Sequence, residues 1–160
     1  MALSCFLKFW VHNLINKNLR HYLLLITGVI ATSAAIWHLL CLYGGVSWFI
    51  FARAPSMVIQ SVQQGTLLAP ISTTIIALLM FICGLYAFSC AGMIKKLPLL
   101  KTAVLFISML CLLRVVIVLP ILWNSSFSDL WQIIATSVWL FVGVSFLLAF
   151  VSLYQQKSQS

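Results

Sequence analysis

Four long apolar runs, separated by one long and two short connections, dominate the pattern along the chain. Each run is apolar on all sides rather than at alternate positions, and together they cover about residues 22–43, 71–93, 102–122 and 131–153. About 20 mostly apolar residues cross the hydrocarbon core of a bilayer as a helix, because a helix satisfies its own backbone hydrogen bonds. The pattern therefore predicts an all-α fold, a polytopic membrane four-helix bundle in which residues 1–160 form a single membrane domain.

Composition supports this prediction. Of the 160 residues, 64% are hydrophobic and 6% are charged, which is too little charge to coat a water-soluble surface. As a description of the chain as a whole, this composition excludes a soluble enzyme, a disulfide-stapled secreted domain and a disordered tail. The net charge of +8 comes from scattered basic residues that mostly flank the apolar runs, so we expect the lipid bilayer as partner and no nucleic acid.

The basic residues also predict the orientation of the chain. The predicted spans leave two charged residues on one side of the bilayer: Arg53 and the single acidic residue, Asp129. Because Lys and Arg accumulate in cytoplasmic flanks, we expect a multi-pass protein with both termini in the cytoplasm. The basic residues on that cytoplasmic side are Lys8, Lys17, Arg20, Lys95, Lys96, Lys101 and Lys157.

Residues 3–19 show the spacing of an amphipathic helix, with apolar side chains at intervals of three and four and a complementary basic stripe. We expect an interfacial cytoplasmic helix over about residues 1–21 that anchors the chain on anionic headgroups. At the other terminus, residues 155–160 are predicted to be a disordered tail. The predicted membrane-surface anchor consists of Phe6, Lys8, Trp10, Lys17 and Arg20.

The connection over residues 44–70 is unusually long and rich in aromatic residues. Pro55 favours a short helix over 56–64 that Gly65 would end. We expect this long outer loop to lie on the membrane surface, either as an aromatic belt or as a cap over the bundle. Asp129 has the spacing of a helix capping box with Ser126, so its first interpretation is structural. The predicted outer cap or rim consists of Trp48, Phe51, Arg53 and Asp129.

Arg114 is the residue of this sequence that is most informative about function, because it is a charged residue inside a predicted span. It lies about 18 Å into the third predicted span, past the middle of the hydrocarbon core, where an arginine costs about 2.5–3.5 kcal/mol. His38 reaches within about one helical turn of the same depth on the first span. A lone membrane histidine is more often a packing residue than a ligand, and Arg114 could equally mark a contact with another subunit.

The depth match predicts a polar ligand pocket that opens toward the outer side. Threonine and serine residues of the second and fourth spans reach a comparable depth, because those spans begin on the outer side. The hypothetical pocket consists of Arg114, His38, Thr73, Thr74, Thr136, Ser137 and Trp37. The sequence shows neither a histidine cluster for a metal, nor paired carboxylates, nor a phosphate-binding glycine loop, so we predict no metal, no cofactor and no catalytic residues.

Three short segments carry a family resemblance: WHLL at 37–40, FARAP at 51–55 and GMIKKLPLL at 92–100. On these segments the chain resembles small four-span inner-membrane proteins of bacteria. Its layout, with a long outer connection after the first span, is similar to that of the DoxX-like membrane proteins. The resemblance implies a location in a bacterial inner membrane and little chemistry.

Three functions remain open at this stage. The first is a non-enzymatic protein that binds a small amphiphile or a lipid headgroup in the outward-facing pocket. The second is an accessory or assembly subunit of a larger membrane complex, or a homo-oligomer, in which Arg114 pairs with a carboxylate of the partner. The third is a membrane enzyme acting on a lipid or a quinone.

Overall fold

The computed structural model describes residues 17–123 and 130–157, which form six helices. Four of them are long and apolar enough to cross a membrane, so the prediction of four spanning helices is confirmed. Two shorter helices lie in the long connection between the first and second spans. In chain order the helices are α1 (Lys17–Gly44), α2 (Val46–Phe51), α3 (Ser56–Gln63), α4 (Leu68–Ala91), α5 (Leu100–Trp123) and α6 (Leu130–Lys157).

The spanning helices extend beyond the predicted apolar runs. Helix α1 begins at Lys17, so Lys17 and Arg20 belong to the first spanning helix; most of the predicted amphipathic helix, at residues 1–16, lies outside the described residues. Long basic side chains at a helix end can reach the headgroups, so the helix can continue past the hydrocarbon boundary. Helix α4 ends at Ala91 because Gly92, with φ 80°, adopts the left-handed conformation of a helix C-cap.

The connection is built from two short helices, of which α2, over the aromatic run, was not predicted. It starts at Gly45, whose φ of 69° and ψ of −154° lie in a region that essentially only glycine adopts. Helix α3 is tied to α4 by Ser61, whose buried Oγ accepts a hydrogen bond of 2.9 Å from the backbone N–H of Ala69.

The four long helices form two close pairs. In the first pair, α1 packs along α4 through small residues, and a Cβ atom added to Gly84 would lie 2.6 Å from Cγ2 of Thr32. In the second pair, Ser108 of α5 donates a buried hydrogen bond of 2.9 Å to the carbonyl oxygen of Gly143 in α6. Small residues and interhelical hydrogen bonds are the usual means of helix association in lipid, where no hydrophobic force drives the helices together.

The two pairs meet mainly through α1 and α6, whereas α4 and α5 make few contacts. Their shared core lies at the end of the bundle where α1 and α5 begin, called here the basic end because Arg20, Lys95, Lys96 and Lys101 lie there. The opposite end, which carries α2 and α3, is called the connection end. The core consists of Leu24, Ala87, Val104, Ile107, Cys111, Val142, Phe146 and Ala149.

Candidate functional site

The side chain of Arg114 is exposed on α5, within the spanning part of the helix. At 1.5 Å per residue it lies about 21 Å from Leu100 and about 14 Å from Trp123 along the helix axis. The central guanidinium carbon is 5.2 Å from the centroid of the Trp139 ring on α6. This distance is typical of a cation–π contact, which holds the guanidinium beside α6 without neutralising its charge.

No acidic side chain faces Arg114 from any described residue, because Asp129 is the only acid in the chain and lies outside residues 17–123 and 130–157. The aromatic contact with Trp139 therefore leaves the hydrogen-bonding edge of the guanidinium available to an anion. A guanidinium can bind a carboxylate or a phosphate with two parallel hydrogen bonds. The position is thus chemically suited to an anionic group that approaches from the side of the bundle.

A stripe of residues on α6, called here the polar stripe, lies on the helix face that is turned toward α5. Gln132, Thr136, Trp139 and Gly143 follow one another at helical spacings of four, three and four, so they share one face. Gly143 packs against Cys111 of α5, which turns this face toward α5. Gln132 and Thr136 are half-buried, and the Thr136 hydroxyl donates a 2.7 Å hydrogen bond to the carbonyl oxygen of Gln132. Sequence reasoning missed Gln132, although its spacing from Thr136 was a usable signal.

His38 is held by its own helix. Its ring Nδ1 is 2.7 Å from the carbonyl oxygen of Ala34, one turn earlier in α1, and its side chain is half-buried. No hydrogen bond or ring contact joins His38 to Arg114, and their helices belong to different close pairs. The structure therefore places the two residues on separate elements, and the shared pocket stays a prediction.

The threonine and serine residues of the predicted pocket point in different directions on α4 and α6. Thr73 is buried on α4, whereas Thr74, the next residue, is exposed. On α6 the exposed Ser137 donates a 2.9 Å hydrogen bond to the carbonyl oxygen of Ile133. Of the predicted hydroxyl residues, only Thr136 lies on the polar stripe beside Arg114.

An open cleft of about 320 Å³ at the connection end is lined by Trp37, Ser47, Trp48 and Phe51 and is called here the aromatic cleft. The Trp37 ring centroid lies 5.6 Å from that of Trp48 and 6.0 Å from that of Phe51. The Phe51 ring is in turn 6.4 Å from Trp131 at the start of α6, so aromatic contacts join both helix pairs. The ring of Trp48 lies directly over Gly44, where a Cβ atom would clash with it.

Of the remaining predicted rim and anchor residues, the structure describes the side chains of Arg53 and Arg20. Arg53 is exposed in the turn after α2 with φ 53°, in the left-handed region, and Asp129 lies outside the described residues. The anchor residues Phe6, Lys8 and Trp10 also lie outside them. Arg20, at the basic end, is half-buried and lies within electrostatic reach of the Cys90 thiol.

Within residues 17–123 and 130–157, no group of three or more histidine, cysteine or acidic residues could hold a metal ion. The four long apolar helices are those of a multi-pass α-helical membrane protein, and Arg114 lies on one of them beside Trp139. No protein-family model, no curated protein and no solved structure matches the chain.

Proposed function

We propose that this protein is a non-enzymatic, multi-pass protein of a bacterial inner membrane that binds an anionic amphiphile through Arg114. The ligand enters sideways from the membrane into the groove between α5 and α6. The observation that carries the proposal is the exposed guanidinium in mid-span, held by Trp139 and facing no acid among the described residues.

The energetics of burial support a ligand at this position. An unneutralised arginine near the middle of a spanning helix costs about 2.5–3.5 kcal/mol, and an anionic headgroup that pairs with it offsets this cost. A phosphate or a carboxylate also matches the two-pronged geometry of the guanidinium. The ligand's headgroup would therefore lie at Arg114, close to Thr136 and Gln132 of the polar stripe.

The surroundings of Arg114 favour an amphiphile over a small soluble anion. Leu110 and Ile117 lie one turn before and after Arg114 on α5, and both are exposed. An acyl or other apolar chain could follow these side chains along the helix while the headgroup stays at the guanidinium. A free anion would leave this apolar surface uncovered and would have to cross hydrocarbon to reach the site.

The proposal also includes the orientation of the helix bundle in the membrane. Arg20, Lys95, Lys96 and Lys101 share the basic end, and by the positive-inside rule this supports a cytoplasmic location for that end and for both termini. The aromatic cleft then lies at the outer surface. Because Arg114 is nearer to the connection end, the ligand would come from the outer leaflet.

A subunit role in a larger membrane complex is the second candidate, and the lateral exposure of Arg114 also favours it. A partner helix with a carboxylate at the same depth would pair with the guanidinium and bury the exposed apolar face of α5. Both candidates use the same residue, so one experiment can separate them.

The test is native mass spectrometry of the protein released from its own membrane in lipid nanodiscs. We expect the wild type to retain a stoichiometric anionic amphiphile, and Arg114→Leu to lose it by more than tenfold because the two charge-assisted hydrogen bonds are gone. Ile75→Leu, a volume-conserving change at an exposed position of α4 outside the proposed site, is the control and should keep the ligand.

Two results would decide against the proposal. Equal retention of the amphiphile in the wild type and Arg114→Leu would show that Arg114 does not bind it. A polypeptide that co-purifies with the wild type and is lost in Arg114→Leu would establish the subunit role instead. Unchanged thermal unfolding of Arg114→Leu would show that the loss does not come from misfolding.

A further inference from the structure

The turn between α4 and α5, residues 92–99, is called here the basic loop, and side chains of α4 fix its backbone. The buried Ser89 hydroxyl donates to the carbonyl oxygen of Lys95 at 3.2 Å and accepts from the N–H of Leu97 at 3.1 Å. The Tyr86 hydroxyl donates to the carbonyl oxygen of Pro98, also at 3.2 Å. These hydrogen bonds hold the backbone of the basic loop against α4 at three of its residues.

The charges at this end are all positive among the described residues. Lys95 and Lys96 of the basic loop and Lys101 of α5 are exposed. Arg20 lies near the end of α4, since it is within electrostatic reach of Cys90. The chain's single acid, Asp129, lies in the segment that joins the opposite ends of α5 and α6. Among residues 17–123 and 130–157, no acidic side chain neutralises the positive charge at the basic end.

Exposed apolar side chains lie on both sides of Lys95 and Lys96 along the chain. Met93, Ile94 and Leu99 are 63%, 40% and 78% exposed. Apolar side chains entering the acyl region beside lysines at the phosphate level are the usual arrangement of an element that binds the membrane interface. A soluble polyanion would cover the lysines and leave the apolar side chains in water, whereas a phospholipid covers both.

We propose that the basic loop is a binding site for the headgroup of an anionic phospholipid in the leaflet at the basic end. Lys95 and Lys96 bind the phosphate, while Met93, Ile94 and Leu99 contact the upper acyl chains. Ser89 acts as a positioning residue, since it holds the backbone from which the two lysines project. The site lies at the end of the bundle opposite the aromatic cleft and is independent of the function proposed for Arg114.

The test measures how tightly phosphatidylglycerol binds to the full chain in nanodiscs of phosphatidylcholine, by titration and native mass spectrometry. All variants are made in the Arg114→Leu background, so that phospholipid at the other site is not counted. We expect Lys96→Gln to weaken binding about fivefold, the usual effect of one lysine at an anionic surface. Lys157→Gln removes one charge at the same end outside the basic loop, and we expect less than a twofold change.

Ser89→Ala distinguishes a site that depends on the backbone of the basic loop from nonspecific attraction by positive charge, because the substitution leaves the net charge unchanged. We expect it to weaken phosphatidylglycerol binding at least threefold while phosphatidylcholine binding stays the same. Equal effects of Lys96→Gln and Lys157→Gln would overturn the proposal and show a diffuse field. Displacement of the lipid by millimolar glycerol phosphate would overturn it in favour of a soluble anion. Lys96→Gln leaves the buried hydrogen bonds in place, so it remains informative even if Ser89→Ala misfolds.

Discussion

The contact between α1 and α4 predicts a specific steric effect at Gly84. A Cβ atom on residue 84 would lie 2.6 Å from Cγ2 of Thr32 and 3.3 Å from the carbonyl oxygen of Gly28. Carbon atoms in contact are normally about 3.5–4.0 Å apart, so Gly84→Ala requires a shift of about 1 Å. The Thr32 methyl group cannot turn away freely, since the Thr32 hydroxyl donates a 2.8 Å hydrogen bond to the carbonyl oxygen of Gly28.

Overpacking of this kind costs about 1–3 kcal/mol, and we expect Gly84→Ala to lower the free energy of unfolding by about 2 kcal/mol. The gain in helix propensity from alanine adds little here, because a spanning helix stays helical when it separates from its partner in a membrane. The measurement is equilibrium unfolding in mixed micelles or steric trapping in bicelles.

Thr32→Ser provides the matched background, because it removes Cγ2 and keeps the hydroxyl that bonds to α1. In this background the cost of Gly84→Ala should fall below about 1 kcal/mol, since only the contact with Gly28 remains tight. The reasoning is refuted if Gly84→Ala has the same effect in both backgrounds, or if it does not destabilise the wild type.

Two further substitutions test the second helix pair and the connection. Ser108→Ala removes the hydrogen bond to Gly143 and should destabilise by about 0.6 kcal/mol, at most about 1.7, in the same unfolding assay. Ser145→Ala, which removes a bond of Ser145 to its own helix, should have a smaller effect, and the opposite order would contradict the assignment. Gly45→Ala should cost about 1–3 kcal/mol and increase protease cleavage in the connection, because alanine is strained at φ 69° and ψ −154°. Ser47→Ala is its control, and equal cleavage in both would count against α2 being held by Gly45.

The spanning helices could be predicted because the length of an apolar run is itself the signal for crossing a bilayer. Their rotation could not be predicted. On α5 the buried Val104 and Cys111 and the exposed Phe106 and Leu113 are all apolar, because lipid is as apolar as the core. The sequence therefore fixes the depth of Arg114 and leaves open which helix it faces.

Helix ends, short helices and local side-chain hydrogen bonds were difficult to predict, because each depends on local geometry that the apolar pattern does not report. The predicted span ended at residue 93 with the apolar run, whereas α4 ends at Ala91, because Gly92 in the left-handed conformation caps the helix inside that run. Helix α2 has only six residues and no side-chain cap, so its sequence does not distinguish it from an aromatic loop. Similarly, the hydrogen bond of His38 to Ala34 depends on a side-chain rotamer that one sequence does not reveal.

The pairing of the long helices sets an order for biosynthesis. Helices α1 and α4 leave the ribosome before α5 and α6, and each close pair is contiguous along the chain apart from the short helices of the connection. At about 5–20 residues per second, the second pair follows the first by several seconds. The α1–α4 hairpin can thus form in the membrane before α5 is synthesised. The α5–α6 hairpin then inserts next to a pair of helices that are already packed together. Arg114 is therefore synthesised after both helices of the α1–α4 pair.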